Sequence, residues 1–360
     1  MIIIYILLTI LAIALMIFLH ELGHYTAGRL LGFKILDFSI GFGPAIFQFK
    51  KNDINYALRA IPLGGACRFY GEDDEPMDAV AFNAQKVWKR IIVVFAGPFM
   101  NLVLAYIISL IMIFAFGVQK STPVITEFSG ENTRAELCGV EAGDLIIAVN
   151  GVDVTAEEID LENSLDRCSN QIQNASADGL TLTVKRGDEI KDIYVSDIYS
   201  AEEGRNLLGI KMSLELSKAD HGFFDSFGAA FAYLKNTTVL TFKTVGGWIA
   251  GSVKESPFNG VVGATAVTAK AATLGGFKYL LLSAAMISLS IGLFNLLPIP
   301  ALDGGRLVFL LIELIFRKPV PRKVEGYVHM VGLALLLGLI VLITYKDIKG
   351  LINGDLLGGL

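Results

Sequence analysis

Four long stretches without a charged side chain dominate this 360-residue sequence. Residues 1–19, 91–118, 279–302 and 326–345 contain no Asp, Glu, Lys or Arg. About 20 helical residues cross the hydrocarbon core of a bilayer, so each stretch is long enough to span it or nearly so. With 53% hydrophobic and only 18% charged residues, the composition also differs from that of an average soluble chain. The sequence therefore predicts a polytopic α-helical membrane protein with four transmembrane helices.

Basic residues predict which connections lie on the cytoplasmic side. Residues 20–90, between the first two apolar stretches, contain nine Lys and Arg side chains. The connection between the last two stretches carries Arg317, Lys318, Arg322 and Lys323. Because short cytoplasmic connections are enriched in Lys and Arg, both should be cytoplasmic, with residues 119–278 and the termini outside. The first stretch has neither a basic segment before it nor a small-residue cleavage site after it, and no Arg- and Ser-rich transit peptide is present. These features favour an uncleaved helix in a bacterial plasma membrane.

The first apolar stretch runs into HELGH at residues 20–24, an HExxH pattern. In a helix this spacing places His20 and His24 on one face with Glu21 beside them, an arrangement typical of zinc hydrolases. Ionisable groups at the edge of a membrane helix are costly and therefore indicate function. Together with its apolar setting, the pattern predicts a Zn²⁺-dependent protease whose active site lies inside a membrane. Catalytic zinc takes three protein ligands and leaves one position for water, so a third ligand is required.

Asp303 is the candidate for that third ligand. It follows Pro298 and Pro300, which interrupt an otherwise apolar helix. Irregular backbone at membrane depth is tolerated only where it is buried or lines a wet cavity, so Asp303 could project into such a cavity. It could equally cap the helix that starts there, and spacing alone leaves both possibilities open. Of the remaining histidines, we expect His221 to be solvated and His329 to lie at the membrane interface.

Three segments outside the apolar stretches have recognisable patterns. Residues 35–61 alternate apolar and polar side chains between Gly, Pro and Asn turns, which predicts a β-hairpin or small sheet. It either dips into the membrane beside HELGH or forms an amphipathic soluble hairpin. Residues 119–218 carry short alternating runs typical of a separate soluble domain. In residues 219–275, Phe223 and Phe227 have helical spacing, which predicts an amphipathic helix lying on the outer membrane surface or packed on the soluble domain.

The HELGH motif and the segment NLLPIPALDGG at residues 295–305 together resemble the site-2-protease family of intramembrane zinc metalloproteases, in its bacterial RseP/RasP-like branch. PLGG at residues 62–65 and FNAQKVWKRIIVVFAGPFMN at residues 82–101 match the same family. GVEAGDLIIAVNG at residues 139–151 is similar to the glycine-rich core of a PDZ domain. The matches cover nearly the whole chain and follow the order found in the family.

The resemblance implies roles for individual residues. The zinc ligands would be His20, His24 and Asp303, and Glu21 would be the catalytic residue. Asn295 would help to hold substrate near the zinc. The Gly-Pro-x-x-Asn element at residues 97–101, with Asn101 as its last residue, would serve close helix packing.

The resemblance also implies a domain layout. Residues 1–118 would contain the first two transmembrane helices, the HExxH motif and the cytoplasmic hairpin. One extracytoplasmic PDZ domain would occupy residues 119–218, and an interfacial helical segment residues 219–275. Residues 276–360 would carry the last two transmembrane helices and the Leu-Asp-Gly motif.

The implied activity is regulated intramembrane proteolysis of single-pass membrane proteins, such as anti-sigma factors or remnant signal peptides. The partners would be these substrates and the lipid bilayer, with no nucleic acid, and no oligomeric state follows from the sequence. Two other interpretations remain open: a proteolytically inactive PDZ adaptor, and a metal transporter that uses His20, His24 and Asp303. Transporters usually carry broken helices at corresponding positions of two repeated halves, and no such repeat is found in this sequence.

Overall fold

The computed structural model describes residues 2–72, 78–130, 132–160, 162–201, 203–219, 221–252 and 259–353. The described helices in chain order are α1 (Ile2–Leu30), α2 (Val87–Phe116), α3 (Arg134–Leu137), α4 (Ser164–Gln173), α5 (Phe223–Ile249), α6 (Val261–Gly275), α7 (Phe277–Leu296), α8 (Asp303–Phe316) and α9 (Arg322–Asn353). The described strands are β1 (Ile35–Lys51), β2 (Ile54–Phe69), β3 (Gln119–Phe128), β4 (Leu145–Val149), β5 (Val152–Asp153), β6 (Ala156–Glu157), β7 (Gly179–Arg186), β8 (Glu189–Ser196), β9 (Tyr199–Ser200), β10 (Arg205–Asn206) and β11 (Ile210–Lys218).

The chain divides into two compact units. The first unit comprises Met1–Met112 and Thr241–Leu360, and the second comprises Ile113–Leu240. Four helices, α1, α2, α7 and α9, are long and apolar enough to cross a membrane. They coincide with the four transmembrane helices predicted from the sequence. Large apolar side chains such as Leu11 and Leu335 remain exposed on them, as expected for helices whose outer faces meet lipid. The chain is therefore a polytopic membrane protein.

Two shorter helices of the first unit pack among the spanning ones. Helix α6 contacts α1, α7 and α9, so this 15-residue apolar helix lies inside the bundle. Helix α8 follows the break that Pro298 and Pro300 impose after α7. Proline lacks an N–H group and disfavours helix in the residue before it, which explains why α7 ends at Leu296. The predicted interruption of this apolar stretch is therefore present.

The segment between α1 and α2 is a sheet that folds back on itself. Strands β1 and β2 pair with several shifts of register, so that Phe38 faces both Tyr56 and Cys67. Residues 35–40 consequently lie between residues 54–58 and residues 65–69. The base of this sheet is anchored by a cluster of buried aromatic side chains that includes Phe33, Phe38, Phe69 and Phe82. The far end exposes large apolar side chains such as Phe47, which suits contact with an apolar medium.

The second unit is built on an antiparallel sheet with the strand order β11-β3-β4-β7-β8. Alternate side chains of these strands, including Ile125, Ile146 and Leu182, form a buried apolar core. Asn163 caps the start of helix α4, because its side chain accepts the backbone N–H of Asp166. The helix contributes Cys168 and Ile172 to the buried core of the unit.

One expectation about the histidines is wrong in this unit. His221 is not simply solvated: its Nε2 lies 3.1 Å from both carboxylate oxygens of Glu157, and its side chain is only 20% exposed.

Candidate active site

Helix α1 places the two histidines of the HExxH motif one turn apart on a buried face. The Nε2 atoms of His20 and His24 lie 3.2 Å from each other. Residues four apart in a helix are neighbours on its surface, which is why this spacing brings both rings to one point. Both side chains and Glu21 between them are buried in the first unit.

Asp303 joins the histidines as the first residue of α8. Its Oδ2 atom lies 3.1 Å from Nε2 of His20 and 3.5 Å from Nε2 of His24. The residue preceding α8, Leu302, makes no side-chain capping bond. Of the two possibilities that the sequence leaves open, the structure therefore shows the carboxylate directed at the imidazoles.

The three donor atoms fit a zinc ion. Atoms about 2.0–2.1 Å from a tetrahedral zinc lie about 3.3 Å from one another, close to the three separations found here. The Oδ2 atom of Asp303 is buried and, within the described chain, accepts no hydrogen bond despite its proximity to both rings. This is expected if the lone pairs of Oδ2 and of the two Nε2 atoms all point at one shared centre, the position of a metal ion. Two imidazoles and one carboxylate are also a common ligand set of catalytic zinc sites.

Helix α2 supports the two histidines from behind. The Nδ1 atom of His24 lies 2.8 Å from the carbonyl oxygen of Val93, to which it donates. With its proton on Nδ1, the ring presents the Nε2 lone pair to the centre, as metal-binding histidines generally do. A Cβ atom on Gly97 would lie 2.2 Å from Nε2 of His24, and one on Gly23 would lie 2.3 Å from the carbonyl oxygen of Ala96. Glycine at both positions is therefore needed for this close approach of α1 and α2.

Strand β2 passes directly beside Glu21. A Cβ atom on Gly65 would lie 2.5 Å from Cγ of Glu21, so a larger residue there would displace the carboxylate. Glu21 and Gly65 line a cavity of about 420 Å³ together with His20, His24 and Asp303. The second glycine of the PLGG motif thus has a steric role in the site.

Asn295, Arg306 and Glu72 line the same cavity. Asn295, to which the resemblance assigns a role in holding substrate, comes from the last turn of α7. Arg306 lies one turn after Asp303 and forms an ion pair with Glu72, which follows β2. Sequence reasoning missed both members of this pair. The spacing between Asp303 and Arg306 on one helical face is the signal that could have found Arg306.

His329 also acts near the site. Its Nδ1 atom accepts the backbone N–H of Ala301 at 2.9 Å, in the segment that leads into Asp303. Ala301 has a φ of +76°, which costs energy for a residue with a side chain and persists only where the surroundings impose it. His329 therefore supports the turn before Asp303, a role that the expected interfacial position did not include.

Comparison with known proteins identifies the family of this chain. The model of peptidase family M50 matches residues 8–339. The chain belongs to peptidase family M50. A protein from Campylobacter jejuni named as a zinc metalloprotease is 35% identical over 352 residues, which cover 96% of this chain and 93% of the relative. A Clostridium perfringens protein named in the same way is 34% identical and covers 96% of this chain and 98% of its own length.

A third relative of this M50 chain has a more specific name. The regulator of sigma-W protease RasP from Bacillus subtilis is 28% identical, with 93% of this chain and 96% of the relative covered. The predicted resemblance to the site-2-protease family is confirmed by these matches. The chain is a zinc metalloprotease with Zn²⁺ as its cofactor.

Proposed function

We propose that this M50 metalloprotease hydrolyses peptide bonds within the transmembrane segments of single-pass membrane proteins. The observation that carries the proposal is the convergence of His20, His24 and Asp303 within 3.1–3.5 Å of one another at a cavity that is lined in part by membrane-spanning helices. Bound zinc supplies Lewis acidity, which polarises the scissile carbonyl and acidifies water. The first two ligands come from the spanning helix α1, so the reaction would take place beside the apolar segment of a substrate.

Three residues that line the cavity would each have a separate role in the reaction. Glu21 takes a proton from the attacking water and passes it to the leaving amine, as a general base and then a general acid. Asn295 offers an amide that can hold the substrate backbone or stabilise the developing oxyanion. The carboxylate of Asp303, whose Oδ2 atom is buried, completes the ligand set and balances charge in the site.

Strand β2 offers a way to hold an unwound substrate. Residues 65–69 pair with β1 on one side only, in the part of the chain that the structure describes. A substrate segment could add to this edge as a further strand, so that its backbone runs past Gly65 and Glu21. A transmembrane helix hides its carbonyl groups in its own hydrogen bonds, so unwinding onto such an edge would expose the scissile bond.

The second unit would decide which substrates reach the site. The similarity of residues 139–151 to a PDZ core suggests an extracytoplasmic PDZ domain at residues 119–218. This domain would exclude single-pass proteins whose outer domain is still bulky, so that cleavage follows an earlier cut. Anti-sigma factors and remnant signal peptides are the substrate classes to test, and the relation to a sigma-W regulator favours the former. Deleting residues 122–215 should broaden substrate use if the domain is a gate and abolish cleavage if it docks substrate.

The decisive experiment compares Glu21→Gln with the wild-type chain in proteoliposomes. A single-pass substrate with a trimmed outer segment serves as reporter, and zinc is measured in the same preparation. We expect Glu21→Gln to keep zinc and to lose cleavage, because the amide cannot accept the water proton. Cleavage that survives the substitution would remove Glu21 as the base. Zinc flux without cleavage would favour a transporter, and substrate binding without either would favour an adaptor.

A further inference from the structure

Asn101 is a polar residue buried completely between membrane helices. It lies on α2, its exposed fraction is 0%, and its side-chain amide nitrogen lies 3.2 Å from Nδ1 of His20. Its amide oxygen has no hydrogen-bond partner among the residues that the structure describes. A buried polar atom without a partner destabilises the folded chain, so an apolar residue would suit a position that serves packing alone.

Which ring nitrogen of His20 carries the proton determines whether Asn101 donates or accepts in this contact. If the Asn101 amide nitrogen donates to Nδ1, the single proton of the neutral imidazole must be on Nε2. That proton would then point at Asp303 and His24, and His20 would have no lone pair for zinc. The oxygen and nitrogen of the Asn101 amide are nearly identical in size. Turning the amide by about 180° exchanges them and lets Nδ1–H of His20 donate to the oxygen instead. The amide oxygen then accepts this proton, the amide nitrogen takes the position that the oxygen has left, and the Nε2 lone pair of His20 faces Asp303 and His24.

The neighbouring histidine supports this assignment. Nδ1 of His24 donates to the carbonyl oxygen of Val93, which lies on the same helix α2. We propose that Asn101 accepts the Nδ1 proton of His20 through its amide oxygen and is thereby a positioning residue of the zinc site. Helix α2 then supplies one acceptor to each imidazole and fixes both in the tautomer that binds metal. This inference rests on the proposed ligand set of His20, His24 and Asp303.

Contacts on the other side hold Asn101 in place. The hydroxyl of Ser288 on α7 donates to the backbone carbonyl oxygen of Asn101 at 2.8 Å. Three helices therefore meet at this residue, since its side chain reaches α1 and its backbone is bonded to α7. The Gly-Pro-x-x-Asn element combines two tasks: Gly97 gives the room that close packing needs, and Asn101 directs His20.

The test measures zinc affinity in the full-length chain, by competition with a chelator in detergent. Asn101→Leu keeps the approximate volume and removes the acceptor, whereas Asn101→Asp keeps an acceptor oxygen. We expect the Leu variant to bind zinc about 10–100-fold more weakly, as is typical when the partner of a ligating histidine is lost. The Asp variant should remain within a few-fold of wild type. Helix packing alone predicts the opposite order, because an added carboxylate would disturb a packed interface more than leucine does.

Ser109→Ala is the matched control. Ser109 is also completely buried on α2, but its hydroxyl donates to the carbonyl oxygen of Ala105 in its own helix. The Ser109→Ala variant should bind zinc like wild type. Thermal unfolding of the metal-free proteins checks that each variant is folded. If the Leu variant does not fold, Asn101→Ala decides the same question. Wild-type affinity in the acceptor-free variant, or equal losses in that variant and in Ser109→Ala, overturns the inference. Absence of zinc binding by the wild-type chain would instead overturn the proposed ligand set.

Discussion

Arg90 of α2 and Glu313 of α8 form a bidentate ion pair, with Nη2 2.5 Å from Oε1 and Nη1 3.1 Å from Oε2. The Arg90 side chain is 2% exposed and that of Glu313 is 14% exposed. Helix α8 begins with Asp303, and α2 contacts both histidines of the site. The pair therefore fixes the helix that supplies the carboxylate against the helix that orients the imidazoles.

Breaking this pair on one side should destabilise the chain strongly. Arg90→Met leaves the Glu313 carboxylate buried without its partner, and the loss of one member of a buried pair costs about 3–5 kcal/mol. Combining Arg90→Met with Glu313→Met removes both charges and should restore most of that stability. Unfolding in detergent, followed by tryptophan fluorescence, measures the difference. As a control, Lys211→Met breaks an exposed pair with Glu127 and should leave the unfolding midpoint unchanged. A double variant no more stable than Arg90→Met would contradict the explanation.

Gly97→Ala should weaken zinc binding without unfolding the bundle. The added methyl group would lie 2.2 Å from Nε2 of His24, the atom that faces the centre, so the ring or the helix must move. We expect at least about a tenfold loss of zinc affinity, which elemental analysis after chelator competition can measure. Gly338→Ala on α9 is the matched control, because a Cβ atom there meets nothing within 4 Å. Unchanged affinity in the Gly97 variant would mean that His24 does not bind the metal through Nε2.

Gly65→Ala should separate catalysis from metal binding. Its methyl group would lie 2.5 Å from Cγ of Glu21, and none of the three atoms nearest to it belongs to a proposed ligand. A displacement of about 1 Å in a catalytic group costs about 100-fold in rate, so cleavage should fall by that order while zinc content stays at the wild-type level. Gly326→Ala, in open space on α9, is the control for cleavage. Simultaneous loss of zinc would show that β2 supports the ligands as well as Glu21.

Much of this site could be predicted from the sequence because its parts have local signatures. The spacing of His20 and His24 is set by one helix. The prolines before Asp303 would interrupt any apolar helix, so the break is visible in the sequence. Asn101 and Glu72 could not be placed in the same way, and for Arg306 only its spacing from Asp303 gives a local signal. Their roles depend on which helices meet, and Glu72 and Arg306 are 234 residues apart in the chain. The resemblance assigns Asn101 to helix packing, and its contact with His20 becomes visible only in the structure.

His329→Leu should loosen the turn that leads into Asp303. The substitution removes the Nδ1 acceptor of the Ala301 N–H and should cost about 1–2 kcal/mol of stability. Because Ala301 lies two residues before Asp303, zinc affinity should fall as well, whereas His329→Gln retains an acceptor and should lose less. His221→Leu is a suitable control, since His221 pairs with Glu157 in the second unit. Equal zinc affinity in the Leu and Gln variants would show that the Ala301 bond does not support Asp303.

Asp144 should make the second unit sensitive to acid. Burial raises the pKa of Asp144, but hydrogen bonds from the Arg186 guanidinium and from the Glu141 backbone N–H, with the charge of Arg186, lower it below its ordinary value of 3.8. The unfolded chain then binds a proton more readily than the folded one. The stability from this carboxylate is therefore fully present above the ordinary pKa and is lost as pH falls through the lowered value.

Asp144→Asn should remove both that stability and its dependence on pH. At neutral pH the variant loses the charged bonds from Arg186, whose Nε and Nη2 lie 2.7 Å from the two carboxylate oxygens, and this should cost about 2–3 kcal/mol. Resistance of the second unit to a protease, measured in the full-length chain from neutral to acidic pH, should decline in wild type and stay flat in the variant. Glu189→Gln, which breaks an exposed pair with Lys191, should follow the wild-type curve. If the Asp144→Asn variant instead declined with wild type, other carboxylates would carry the acid sensitivity, because the amide introduced by the substitution binds no proton in that range.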